Sequence, residues 1–137
     1  MAKITELSEG EQRLVEAAAH ARSFSYSPYS HFAVGAAVMT SDGEIYSGCN
    51  IENQAYSVTN CAERTAIFNA VSEGHDDITL LAVIADTPAP TAPCGACRQV
   101  IAEFGIPNII MANTMGDVKV VTIDELLPAA FGAEDMK

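Results

Sequence analysis

Ile78-Thr79-Leu80-Leu81-Ala82-Val83-Ile84-Ala85 is a nearly continuous apolar run, the pattern of a strand buried on both faces of a sheet. Downstream, Val100, Ile101 and Phe104 fall on a helix predicted to begin near Cys94 or Gly95, and Ile109-Ile110-Met111-Ala112 reads as a second strand. Strand, helix, strand over 78–112 implies a right-handed parallel crossover. That unit makes the fold class α/β.

Working outward, Ser8-Glu9-Gly10-Glu11 has the form of a capping box, followed by Leu14, Val15, Ala18 and Ala21 at helical spacing, which predicts an amphipathic helix ending near Ser25. Phe32, Val34, Ala36 and Val38 alternate with Ala33, Gly35 and Ala37 and lead to a turn at Ser41-Asp42-Gly43, before Glu44-Ile45-Tyr46-Ser47 resumes the pattern. This predicts a β-hairpin with one face of small residues, against which a helix can pack closely. Ile67, Ala70 and Val71 predict a second helix from Asn60 or Cys61, stopped at Glu73-Gly74. Residues 118–121 read as an edge strand and 124–127 as a short helical turn before Pro128. The expected architecture is a three-layer α-β-α sandwich with a mixed sheet of about five strands.

With 137 residues, 49% of them hydrophobic, the chain is long enough for one cored domain, expected over 1–137, and too short for two of ordinary size. A cleft inside so small a domain is shallow, so neighbouring subunits are expected to complete a site. Seven Lys and Arg against eighteen Asp and Glu give a formal charge of −11, and the cations are scattered. That sign and spread disfavour nucleic acid and anionic membranes as partners. The amino terminus lacks the apolar run of a signal peptide, and no stretch approaches the roughly 20 apolar residues of a membrane span. A cytoplasmic location is expected, in which the four cysteines are reduced and a C-x-x-C pair serves metal or redox chemistry.

The chemistry concentrates in Cys61-Ala62-Glu63 and Pro93-Cys94-Gly95-Ala96-Cys97. Three cysteines supply the soft thiolates that zinc prefers, and a glutamate two residues after the first reaches the fourth coordination position. Three ligands plus a carboxylate predict an open site holding water, with an acid/base beside it. The stiff stretch Thr87-Pro88-Ala89-Pro90-Thr91-Ala92-Pro93 delivers the chain to Cys94. If Cys61 and the Cys94/Cys97 pair lie at helix amino termini, both helix dipoles favour the thiolates. Arg64 and Arg98, each directly after a ligand segment, are then candidates to hydrogen-bond the sulfurs and offset a formal −1 charge.

Blander readings stand beside these. Glu63 also fits the N3 place of an Asn60-x-x-Glu63 cap. Cys94-x-x-Cys97 alone fits a redox pair or half of a structural zinc site, and Cys49 offers a fourth ligand for a closed one. His20, His31 and His75 fit no ligand spacing and read as surface or helix-end groups.

Taken together, Tyr29-Ser30-x-Phe32-x-Val34-Gly35-Ala36-Ala37, Gly48-Cys49-Asn50-Ile51-Glu52-Asn53, Cys61-Ala62-Glu63-Arg64-Thr65-Ala66 and Pro93-Cys94-Gly95-Ala96-Cys97-Arg98-Gln99 resemble the small homotetrameric cytidine deaminases. The zinc deaminase signature that this match extends is a documented motif, with cysteine here in place of histidine. The resemblance runs from the first helix to Leu126-Leu127-Pro128-x-x-Phe131. It implies a cytidine deaminase-like fold, one zinc per subunit on Cys61, Cys94 and Cys97, and Glu63 as the group that takes a proton from the attacking water and returns protons to N3 and the departing amine.

The resemblance further implies that Asn50 and Glu52 hydrogen-bond the ribose, Phe32 walls the base, the Ala62 backbone N–H meets the pyrimidine carbonyl, and Phe131 reaches a neighbouring subunit's site. Cytidine and 2′-deoxycytidine are the expected substrates, in pyrimidine salvage, with tetramers sharing their sites. Deaminases of blasticidin S or free cytosine are the nearest competitors, and Asn50-Ile51-Glu52-Asn53 favours the ribonucleoside. Two other classes are a nucleic-acid-editing deaminase, which needs a basic face, and a zinc-stabilised interaction module, which needs four protein ligands.

Overall fold

The computed structural model describes residues 2–136. Its elements run β1 (Ala2–Lys3), α1 (Glu9–Arg22), β2 (Val34–Thr40), β3 (Ile45–Cys49), α2 (Ala62–Ser72), β4 (Ile78–Ala85), α3 (Gly95–Glu103), β5 (Asn108–Asn113), β6 (Asp117–Thr122) and α4 (Ile123–Leu126), with short 3₁₀ turns at Ile4–Glu6, Tyr56–Val58 and Ala133–Met136. The capping box at the start of α1 forms: Glu11 N donates to Ser8 Oγ at 3.2 Å, and Ser8 N donates to Glu11 Oε1 at 2.9 Å.

Among the described residues the sheet has six strands in the order β1-β6-β5-β4-β2-β3. Only β4 and β5 are parallel, joined by α3, while the other pairings are antiparallel. The expected edge strand is therefore not an edge. β1 pairs with β6 through Ala2 and Val118 and covers it. Two residues carry no readable periodicity, so the strand exists because β6 offers it a ladder.

Alternation along β4 divides the core. Leu81 and Val83 join Ala36, Val38, Ile109 and Met111 under Ala66, Ile67 and Ala70 of α2 and Ile101 of α3. Ala82 and Ile84 turn to the other face with Ala37, Ile110 and Ala112, where Leu14, Val15 and Ala18 of α1 close over them. Successive side chains of a strand point to opposite faces, so one apolar run serves two helix layers. The three-layer expectation is met.

Two glycines set how near the helices come. A Cβ on Gly35 would stand 1.9 Å from the Ala18 carbonyl oxygen of α1, and one on Gly48 would stand 2.6 Å from Ala66 N of α2. Only a residue without a side chain fits either place. Among the described residues no helix is long and apolar enough to cross a membrane.

Register places the site. Val34 pairs with Ala85 and Gly35 with Cys49, so the ends of β3 and β4 meet the beginning of β2 at one margin of the sheet. Helices α2 and α3 both start there, in the crevice outside strand carboxyl ends where α/β sheets bind ligands.

Candidate metal centre and adjoining pocket

Cys61 is the N-cap of α2, with extended backbone at φ −74° and ψ 154°, and Cys94 is the N-cap of α3 at φ −69° and ψ 168°. Neither side chain caps its own helix, which leaves both sulfurs available. Cys97 follows in the first turn of α3 and is fully buried. The three sulfurs lie within 4.8 Å of one another, and Cys61 Sγ is 3.7 Å from Cys94 Sγ. Cys49 is not in this group; it ends β3, half-buried, with its thiol pushed up by burial. The closed four-cysteine reading thus lacks its fourth ligand.

Electrostatics favour a thiolate at this point. Hydrogen bonding with Cys97, supported by Arg64 and Cys94, brings the Cys61 thiol down to about 5 despite partial burial. Cys97 holds its proton correspondingly harder, through the same bond and through burial. Arg64 Nη2 donates to Cys61 Sγ at 3.3 Å, as its place after the ligand led us to expect. Its buried Nε has no partner among the described residues. Arg98 does otherwise. Its Nε donates to Pro93 O at 2.9 Å and its Nη1 to Leu126 O at 2.8 Å, both of them carbonyls and neither a sulfur.

Glu63, one turn-position into α2, is 4% exposed. Desolvation pushes its carboxyl up to about 7, opposed by its own backbone N–H. A buried carboxyl near neutrality suits a group that both takes and gives protons. Ala62, beside it, is buried at the first helical position, where the backbone N–H has no acceptor inside the helix.

Glu63 and two of the sulfurs open into a cleft of about 180 Å³ that Phe32, Asn50, Thr59, Ala62 and Thr91 help to line. Phe32 is 43% exposed and precedes β2, so its ring is a wall and not core. Asn50 is 8% exposed. Its Oδ1 accepts from Val34 N at 3.0 Å and from the Ser25 hydroxyl, and its Nδ2 donates to Phe32 O at 2.7 Å. An amide offers two donors and two acceptor sites. One N–H of Asn50 is left for a ligand.

A second groove of about 280 Å³ is bounded by Tyr29, Ser30, Glu52, Tyr56 and Thr59, and Thr59 borders both spaces. Glu52 Oε1 accepts from Tyr29 N at 3.0 Å and Ser30 N at 3.1 Å, and its Oε2 accepts from the Ser30 hydroxyl. That hydroxyl holds the Glu52 carboxyl below the usual range. Ser30 Oγ in turn accepts from Phe32 N at 3.0 Å. Sequence reasoning missed Ser25, Ser30, Thr59 and Thr91 because a loop serine or threonine carries no signal until its partners are known. Phe131 is 61% exposed, its carbonyl accepting from Gln99 Nε2 at 2.8 Å, and among the described residues it does not line the cleft.

Residues 8–113 match the family model for the cytidine and deoxycytidylate deaminase zinc-binding region. The chain belongs to this deaminase family. A cytidine deaminase of Sporosarcina psychrophila is 54% identical over 127 residues, covering 91% of this chain and 93% of that protein. The crystal structure of cytidine deaminase from Burkholderia pseudomallei superposes with a TM-score of 0.86 at 46% identity, over 91% of this chain and all of that one. A blasticidin-S deaminase of Bacillus cereus stands further off, at 34% identity over 94% of this chain and 97% of that protein.

Zinc is the metal of this family, and the donor set fits it. Tetrahedral zinc with Zn–S bonds of about 2.3 Å needs sulfurs about 3.8 Å apart, close to the 3.7 Å between Cys61 and Cys94. Three soft donors leave a fourth position for a non-protein ligand, as in catalytic sites of the deaminase family.

Proposed function

We propose that this protein hydrolyses cytidine to uridine and ammonia, and 2′-deoxycytidine likewise, with Glu63 as acid/base and Cys61, Cys94 and Cys97 as zinc ligands. The observation that carries the reading is the convergence of three close-set sulfurs from two helix amino termini on a cleft holding one buried carboxyl. Zinc, when bound there, supplies Lewis acidity that brings the pKa of a coordinated water to about 7.

The chain's own residues do the rest. Glu63 takes a proton from the attacking water as its oxygen bonds to C4 of the pyrimidine, and passes that proton to N3. Glu63 then takes the remaining proton from the new C4 hydroxyl and gives it to the exocyclic nitrogen, so that the C4–N bond breaks, the C4 oxygen becomes the carbonyl of the product and ammonia leaves. Phe32 offers its ring to the base, and the Ala62 N–H donates to the base carbonyl. The sugar reaches from the spare Asn50 N–H in the cleft toward Glu52 in the outer groove. Neither space alone reaches the roughly 300 Å³ of small ligand pockets, and a base in one with a sugar in the other uses both. A deaminase of free cytosine would need neither the spare Asn50 N–H nor the Glu52 carboxylate for its substrate.

Arg64 offsets thiolate charge through its bond to Cys61. The active form is a homotetramer whose subunits complete each other's sites, and it works in cytoplasmic pyrimidine salvage. Exposed Phe131, Tyr56 and Val58 support the assembly, and a scattering mass of a monomer with full activity would overturn it. With a charge of −11, single-stranded RNA should not be retained.

The deciding experiment incubates the purified zinc-loaded protein with cytidine, 2′-deoxycytidine, cytosine and blasticidin S and follows the ultraviolet change, beside Glu63→Ala with zinc measured in both. Turnover of both nucleosides and its loss in the zinc-retaining variant are expected, the acid/base contribution being on the order of 10²- to 10⁴-fold. No turnover of cytidine by the loaded parent would sink the reading.

A further inference from the structure

Cys94 is reached through a loop, and a metal ligand on a loop needs its backbone fixed from outside. Two carbonyls flank its Cα, those of Pro93 and Cys94, and both are held by one residue. Arg98 N–H donates to Cys94 O at 3.0 Å as the first helical bond of α3, and Arg98 Nε donates to Pro93 O at 2.9 Å. Pro93 is buried and Cys97 immediately precedes Arg98, so the same residue touches the backbone at both ligands of the C-x-x-C pair.

The guanidinium then continues outward. Its Nη1 donates to Leu126 O at 2.8 Å, one of the carbonyls that the end of α4 leaves without a helical partner. A planar fork with fixed donors can serve two separated carbonyls at once, which a lysine ammonium cannot do in the same way.

Resting on the zinc reading above, we propose that Arg98 is a positioning residue for the metal site: it clamps the peptide that carries Cys94 against the end of α4, so that zinc retention depends on the Arg98 bridge between the Pro93 and Leu126 carbonyls. Partners that orient metal ligands typically matter at the level of 10- to 100-fold in metal affinity.

The test measures zinc loss to a chromogenic chelator from the holoenzyme, in the parent, Arg98→Lys, Arg98→Gln and Gln99→Ala. Arg98→Lys and Arg98→Gln should lose zinc about 10- to 100-fold faster, with a smaller rise in melting temperature on zinc addition than the parent shows. A purely structural role would lower the zinc-free and zinc-loaded melting temperatures equally and leave that rise unchanged, which overturns the proposal. Gln99→Ala frees the Phe131 carbonyl without touching Pro93 and should lose zinc at the parental rate. Loss as fast as in Arg98→Lys would assign the effect to tail docking and overturn the clamp. Parental zinc loss by Arg98→Lys overturns it too, and that variant decides should Arg98→Gln not fold. A parent without one zinc per chain would instead refute the zinc reading itself.

Discussion

At the scale of single residues, Asn50 is a buried amide tied into the wall of the cleft. Three of its four hydrogen-bonding positions are already committed to Val34 N, Phe32 O and Ser25, so the amide is fixed in place with one N–H to spare. Asn50→Ala should therefore do two kinds of damage. Leaving buried partners unpaired should cost about 2–4 kcal/mol in a urea titration, and KM for cytidine should rise more than kcat falls. A variant with parental stability would show that water replaces the amide. The Cys61, Cys94 and Cys97 cluster was legible in the sequence because three soft donors split between a lone cysteine and a C-x-x-C pair point to a metal. Arg98 was not, because its partner Leu126 lies 28 residues away and is a carbonyl that any residue could supply. Its neighbour in the chain, Cys97, suggested the wrong partner.

Elements carry the tolerances that the residues need. The helix bearing Cys61 and Glu63 lies so close to β3 that a methyl group on Gly48 would meet Ala66 N at 2.6 Å and the Thr65 side chain at 2.7 Å. Gly48→Ala should cost about 1–3 kcal/mol by overpacking and speed zinc loss, since the displaced helix begins at a ligand. Gly35→Ala, meeting backbone oxygen at 1.9 Å, should cost more, and equal denaturation midpoints for the two would contradict this ordering. The small-residue face of the hairpin was readable as a packing surface, whereas β1 was not readable at all.

That two-residue strand is tied by Lys3 to Asp117, whose carboxyl this ammonium, with Asn113, holds below the usual range. A depressed folded-state pKa adds stability that is complete well above about 3.9 and is lost as pH falls through the folded value. The stability gap between parent and Asp117→Asn should thus be wide at pH 7 and narrow at pH 3. A gap independent of pH would show that the ion pair adds nothing.

Across the whole molecule, layering was legible because β4 is apolar on both faces, and strand order was not, because pairing partners leave no local mark. The two ligand-bearing helix starts sit at one margin of the sheet with β4 between them in the chain. Cys61 and Cys94 are 33 residues apart, and a metal shared between them turns the intervening chain into a closed ring. Force applied at the two termini bypasses that ring. Cys97, the last ligand, extends the closed span from Cys61 to 36 residues, so at 3.3–3.6 Å of reach per residue roughly 120–130 Å of contour should stay hidden in an optical-tweezers pull of the zinc-loaded protein until the thiolate bonds give way, and should appear from the start once a chelator has removed the metal.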